Sequence, residues 1–303
     1  MVKLPLGLDI DNLINDLTTL SWEAGEILID YSNKIEDENF KRKIIKSNKD
    51  NDLVTLADLK VNEIILNRIS KTYSHIKWNL LSEENAKKGE YHFNNNYEWK
   101  WILDPLDGTR DFIQRTGNYA MHLALNYRDK PYIGIVMIPH KNEIWISDGE
   151  KVWCEKKNGI RVNANLSKNK KLIDMTLVTS HNHSNQILNN LIDLVTFKES
   201  IRMGSIGCKI ASILRGESDI YISLSLPGKS SPKDWDFAAP EAILKGAGGR
   251  ITNLDNEELI YNKKDFKQEG LIIATSDSNK HGQTCLEIKE VLKKNKNLSK
   301  LLI

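Results

Sequence analysis

Cysteine is scarce in this sequence of 303 residues: 3 occur, at Cys154, Cys208 and Cys285. An odd number at such distances supplies neither a disulfide framework nor a zinc-binding spacing, and predicts a reducing, cytoplasmic setting. Excess charge of one sign is lacking too. The chain sets 43 Lys+Arg against 41 Asp+Glu, a net +2, which excludes the basic surplus expected of a protein that binds nucleic acid polymers. The locally basic tail from Lys289 to Lys300 reads as a solvated helix end. No apolar run approaches the ~18 residues a membrane span needs, and Tyr132 to Pro139 is among the longest. Asp9 and Asp11 interrupt the amino terminus, so no signal peptide is expected there. No repeat or low-complexity segment is present beyond an Asn/Lys bias.

What remains is an ordinary globular composition, 40% hydrophobic and 28% charged, long enough for one large or two modest domains. Ile10, Leu13, Ile14, Leu17, Leu20, Ala24, Ile27, Leu28 and Tyr31 recur at helical spacing behind Asp9, a candidate N-cap. A charged stretch, Lys34 to Lys43, and a polar loop, Ser47 to Asp52, precede a second helix from about Ala57. Strands are expected at Trp78–Leu81 and Trp99–Leu103. Period-two alternation over Tyr119–Tyr127, then Pro131–Ile138 and Glu143–Ser147 with a Ser147-Asp148-Gly149 turn, predicts an antiparallel meander.

Past residue 160 the rhythm changes. Strand Thr176–Thr179, helix Asn185–Leu194, a helical face over Gly204–Gly216, strand Asp219–Ser223, helix Phe237–Leu244, strands Arg250–Thr252 and Leu271–Ala274 and a terminal helix follow. This pattern predicts layered α+β and α/β packing in two domains, 1–160 and 161–303.

The chemistry-bearing segment is Ile102-Leu103-Asp104-Pro105-Leu106-Asp107-Gly108-Thr109. Two carboxylates leave an apolar strand and enter a turn bent by proline and glycine, which can aim both acids and the Leu106 carbonyl at one point. Oxygen-only ligands suit Mg²⁺. A helix starting at Thr109 would offer the N–H groups of Gly108, Thr109 and Arg110 to a phosphate. On spacing alone, an acidic turn after a strand explains the segment equally well. Ser82-Glu83-Glu84 also closes an apolar strand, and Asp234-Trp235-Asp236 opens a helix. Each has a plain reading as helix-start acids. Together they place acids repeatedly where desolvation would be costly without a cation.

Val54-Thr55-Leu56-Ala57-Asp58, Ser82-Glu83-Glu84, Asp104–Thr109 and Trp235-Asp236, in that order, resemble the lithium-sensitive, magnesium-dependent phosphatases. These are the inositol monophosphatase superfamily, which includes the 3′(2′),5′-bisphosphate nucleotidases of the CysQ type. The resemblance implies an αβαβα sugar-phosphatase sandwich and two or three Mg²⁺ per site. It assigns Glu83, Asp104 and the Leu106 carbonyl to one ion, and Asp104, Asp107 and Asp236 to a second. Most of these ligands lie in the first half of the chain, whereas Asp236 lies in the second. A third ion would reach Glu83 through water. Thr109, hydrogen-bonded to Asp58, would accept the proton of the attacking water in a two-metal phosphoryl transfer. Lys46 and Lys49 of the polar loop read as solvated, with an approach to the site by one of them as the alternative.

Arg110-Asp111-Phe112, Gly204-Ser205-Ile206-Gly207-Cys208-Lys209, Asn182-His183-Ser184-Asn185 and Trp235 to Leu244 are similar to the nucleotidase branch. They imply substrate contacts from Gly108, Thr109, Asp111, His183, Ser205 and Lys209. Asn182 stands where that pattern has serine, and the Leu226–Lys233 loop is longer. The implied reaction is hydrolysis of adenosine 3′,5′-bisphosphate to AMP and phosphate. Inositol phosphates and sugar bisphosphates are the alternatives, and a non-catalytic nucleotide or metal sensor is the reading outside enzymology. The expected partner is a small phosphorylated metabolite, and a homodimer is among the assemblies the resemblance allows.

Overall fold

The computed structural model describes residues 2, 4–47, 53–181, 186–226 and 228–295. The chain opens with α1 (Ile10–Lys34), whose cap Asp9 accepts from Asn12 N–H, then α2 (Glu38–Ile44). The hairpin β1 (Ile45–Ser47) and β2 (Leu53–Thr55) leads into α3 (Leu56–Thr72). Then come β3 (Asn79–Ser82), α4 (Glu83–Lys87), β4 (Trp99–Asp107) and α5 (Thr109–Ile113). The meander continues through β5 (Ala120–Tyr127), β6 (Lys130–Ile138), β7 (Glu143–Ser147), β8 (Val152–Lys156) and β9 (Arg161–Asn163).

These last strands, with β3 and β4, form one seven-stranded sheet in the order β3-β4-β5-β6-β7-β8-β9. Only the β3–β4 pair is parallel. The second half supplies β10 (Thr176–Ser180), α6 (Gln186–Val195), β11 (Glu199–Met203), α7 (Ile206–Leu214) and β12 (Ile220–Ser225). It ends with α8 (Asp234–Gly246), β13 (Arg250–Asn253), β14 (Gly270–Thr275) and α9 (Ser278–Lys294). Its strands form a mixed sheet in the order β11-β10-β12-β14-β13.

Strand alternation divides the core into three layers of contact. Trp101, Leu103, Met121, Leu123, Leu125, Ile133 and Ile135 face α1 and α3 in one cluster. Ile102, Ala120, Ala124, Val136 and Ile138, displaced by one residue, face α7, α8 and the inner side of the small sheet in another. The outer face of the small sheet packs on Leu188 and Leu191 of α6 and Ile288 and Leu292 of α9. The result is the expected αβαβα sandwich. Two glycines mark where helix meets sheet. An ideal Cβ on Gly134 of β6 would lie 2.6 Å from Ala242 Cβ of α8, and one on Gly25 of α1 would overlap Met137. The large sheet extends to Asn163, just beyond residue 160, and its inner face is covered by helices from the second half. Among the described residues, no helix is long and apolar enough to cross a membrane.

Candidate active site

β4 is buried along nearly its whole length and carries both carboxylates of the central motif. Its pairing with β5 sets Asp104 opposite His122 and Asp107 opposite Ala120, so three steps on β4 answer two on β5. The extra residue is a bulge, and Pro105 at that point cannot donate to a ladder. Asp104 Oδ1 accepts Leu106 N–H at 3.0 Å, and Thr109 Oγ1 donates to the Leu106 carbonyl at 3.2 Å. Gly108 caps α5 at φ 87°, and a Cβ there would lie 2.9 Å from the Asn118 carbonyl. Glycine is required at this turn on both counts.

The bulge delivers Asp107 to the start of α7. Asp107 Oδ2 accepts from Ser205 Oγ at 2.8 Å, from Gly207 N–H at 3.4 Å and from Ile206 N–H. A carboxylate from the large sheet thus caps a helix from the second half of the chain, where free N–H groups and the helix dipole favour negative charge. Ser205 adopts φ 42°, a left-handed value that costs a non-glycine residue roughly 1–3 kcal/mol.

Lys209 holds that turn from below. Its ammonium donates to the carbonyls of Ser205, Gly204 and Met203 at 2.9, 3.1 and 3.4 Å and sits 5.6 Å from the Tyr221 ring centroid. All three N–H donors face main-chain carbonyls and the residue is buried, so a phosphate contact from Lys209 would require it to leave them. The reason is local: α7 is buried throughout, and the side chain runs back to the carbonyls of the turn that leads into it. Asp111 is likewise turned inward. It is buried, accepts Thr116 Oγ1 at 2.7 Å and lies against Gly204. Of the other expected substrate contacts, Gly108, Thr109 and Ser205 surround Asp107, and His183 lies outside the described residues. Lys49 lies outside them too. Lys209→Ala is therefore expected to destabilise the fold by about 1–3 kcal/mol, because buried carbonyls lose their donor. Turnover of mono- and bisphosphates should fall alike, and steady-state kinetics on both would check this. A loss confined to KM for the bisphosphate would restore the direct contact.

Asp236 enters from the first turn of α8, its Oδ2 accepting Lys233 N–H at 2.5 Å. One oxygen each from Asp104, Asp107 and Asp236 lie within 4.8 Å of one another. Burial, then repulsion from Glu83, Asp107 and Asp236, holds the Asp104 carboxyl well above the usual range. Burial and Asp107 do the same to Asp236. A desolvated cluster of acids is costly without a counter-charge, and an all-oxygen donor set of this kind fits a hard divalent cation. Glu83, at the start of α4, adds to the repulsion and forms an ion pair with Lys87 at 2.7 Å.

Asp58 differs from expectation. Its Oδ2 accepts Thr55 N–H at 2.8 Å and Thr55 Oγ1 at 2.5 Å, a capping box at the start of α3. The expected bond from Thr109 is not formed, because Thr55 lies three residues upstream and Thr109 Oγ1 is committed to Leu106. Burial, with Glu83 and Glu84 adding charge, pushes Asp58 up to about 8 against the pull of Thr55. Glu84, part of the Ser82-Glu83-Glu84 motif but given no ligand role there, is buried with Oε1 unpartnered among the described residues and is itself raised by burial and Glu83.

These shifts carry a sign. A carboxyl whose folded pKa exceeds its unfolded value favours the fold while protonated, and that advantage is lost as pH rises through the folded value. His281, pushed down to about 4 by burial, acts oppositely but only below its ordinary 6.5. Between pH 6.5 and 8, metal-free protein is expected to lose about 2 kcal/mol through Asp58 alone. Thermal unfolding in chelator should show Tm falling over that interval, and a flat or rising Tm would contradict the assignment.

The sequence profile of the inositol monophosphatase family matches residues 9–293. The 3′(2′),5′-bisphosphate nucleotidase CysQ of Buchnera aphidicola is 26% identical over 251 residues, covering 82% of this chain and 87% of that protein. CysQ of Escherichia coli K12 is 25% identical over 221 residues, 73% of this chain and 84% of its own. Among solved structures, an IMPase of Thermotoga maritima matches at 21% identity with a TM-score of 0.71, over 93% of this chain and 99% of that one. Inositol monophosphatase II of Staphylococcus aureus matches at 19% identity with a TM-score of 0.71, over 96% and 97%. The solved structures share the layered architecture described above. The profile runs from the cap of α1 into the last turn of α9 and contains every acid of the cluster, so the chain belongs to the inositol monophosphatase family and is a phosphoric monoester hydrolase.

Proposed function

We propose that this protein is a Mg²⁺-dependent 3′(2′),5′-bisphosphate nucleotidase that hydrolyses adenosine 3′,5′-bisphosphate to AMP and phosphate. The observation that carries the metal-dependent reaction is the convergence of Asp104, Asp107 and Asp236 from two separate elements. In this reading those three acids, with Glu83 and the Leu106 carbonyl, hold two Mg²⁺, and Glu83 reaches a third through water. Bound there, Mg²⁺ acidifies a water and neutralises charge on the phosphoryl oxygens. Asp104 and Asp107 are oriented for this by bonds to their own turn and to α7. The N–H groups of Gly108, Thr109 and Arg110 seat the phosphate, and Ser205 borders it. In this reading Asp58, ionised once the cations are bound, accepts the proton of the attacking water together with Thr109.

The choice of a nucleoside bisphosphate is supported by the CysQ relatives and the nucleotidase-like segments. One observation favours a second reading, an inositol- or sugar-phosphate phosphatase: Lys209 has no donor left for a non-reacting phosphate. Phosphate release from adenosine 3′,5′-bisphosphate, adenosine phosphosulfate, inositol 1-phosphate and fructose 1,6-bisphosphate decides between them. The nucleotidase reading expects the highest kcat/KM on adenosine 3′,5′-bisphosphate. A highest value on inositol 1-phosphate would overturn it.

A further inference from the structure

His122 is a histidine in a place that asks for a hydrocarbon. It sits mid-strand on β5, wholly buried, between Ala120 and Ala124 on the face that packs against α7 and α8. Among the described residues neither ring nitrogen closes a full hydrogen bond, although an unsatisfied buried polar group costs about 1–3 kcal/mol. A polar side chain kept at that cost calls for an explanation outside packing.

Its surroundings supply one. His122 Nε2 lies 3.4 Å from Asp107 Oδ2, and the ring also lies against the backbone of Trp235, the residue before Asp236. α7 is shaped around it: a Cβ on Gly207 would overlap Nε2 and lie 2.7 Å from Val136 Cγ1. With an N–H on Nε2, the imidazole donates toward the Asp107 carboxylate oxygen. Oδ2 of Asp107 therefore faces Ser205 Oγ, the Ile206 and Gly207 N–H groups and His122, whereas no hydrogen bond is formed at Oδ1 among the described residues. Donors gathered on one oxygen fix the carboxylate's rotation and leave the other oxygen for a cation.

We propose that His122 is a positioning residue for Asp107: its Nε2, wedged under Gly207 between β4 and α8, fixes the carboxylate so that Oδ1 is presented to the divalent cation. This rests on the reading of Asp107 as a cation ligand. Groups hydrogen-bonded behind a ligating carboxylate typically contribute 10–100-fold to metal affinity.

The test is a Mn²⁺ titration of the full chain without substrate, followed by calorimetry and by the electron paramagnetic resonance of free Mn²⁺. Wild type is compared with His122→Leu, which keeps bulk without a donor, and His122→Gln, which restores one. Asp107→Asn is the control, and His122→Ala is a second donor-free variant that relieves crowding against Gly207. Donor-free variants should bind at least one Mn²⁺ about 10–100-fold more weakly at little changed Tm, with glutamine recovering most of the loss. In kinetics the half-saturating Mg²⁺ should rise more than KM for substrate. If Asp107→Asn weakens Mn²⁺ binding while His122→Leu and His122→Ala bind like wild type, the inference falls and the cation reading stands. If wild type and Asp107→Asn bind Mn²⁺ equally, both fall.

Discussion

Asp104→Asn is expected to lower turnover at least ~10³-fold with the fold intact, a loss of about 4 kcal/mol in transition-state stabilisation. Asp104 is the buried member of the acid cluster, and burial and three neighbouring acids already oppose its charge. Asparagine keeps the shape and an oxygen that can accept Leu106 N–H, so the bulge should survive. Removing one charge relieves repulsion in metal-free protein, so its Tm should hold or rise. With Mg²⁺ the order should invert, because wild type gains more from binding the ion. Phosphate-release assays and paired melting curves in chelator and in Mg²⁺ would check both halves. Near-normal turnover would remove Asp104 from the ligand set.

Gly204→Ala should be nearly as damaging, although the residue touches no reacting atom. A Cβ there would overlap the Asp111 carboxylate, which Thr116 Oγ1 pins, and would lie 2.6 Å from the main-chain carbonyl of Asn118. Nothing flexible is available to yield, so the turn from Met203 to Ser205 must move. That turn carries Ser205, which bonds Asp107, and its carbonyls receive Lys209. Overpacking of this kind typically costs about 1–3 kcal/mol. A shift of ~1 Å at Asp107 would cost about 10²-fold in kcat. Melting and kcat measurements on one preparation would show both losses, and an unaffected kcat would mean that Asp107 is not located by this turn.

Much of this was legible beforehand because the signals were local. α1 follows from apolar spacing and the Asp9 cap, and the meander from alternation along β5 to β7. α2 escaped because the charged stretch before Ile44 has no apolar period and only seven residues are helical. The acids that converge were visible as acids closing apolar strands. Their supports were not. The β4 bulge shifts the register by one residue: from Asp104 opposite His122, an unbroken ladder would set Asp107 opposite Tyr119 instead of Ala120. No sequence reading that misses this shift can place His122 beside Asp107. The fate of Lys209 depends on where three carbonyls of a turn point, which spacing does not encode. Asp58 is the opposite case, since Thr55-x-x-Asp58 is itself a capping pattern and a short-range partner prevailed over the distant Thr109.

If the acid cluster is the divalent-cation site for phosphate-ester hydrolysis, activity must follow the metal. Phosphate release from adenosine 3′,5′-bisphosphate by protein freed of metal, then titrated with Mg²⁺ at constant ionic strength, tests it most directly. Release should cease in chelator and return saturably with Mg²⁺. Release that continues undiminished in excess chelator would contradict it.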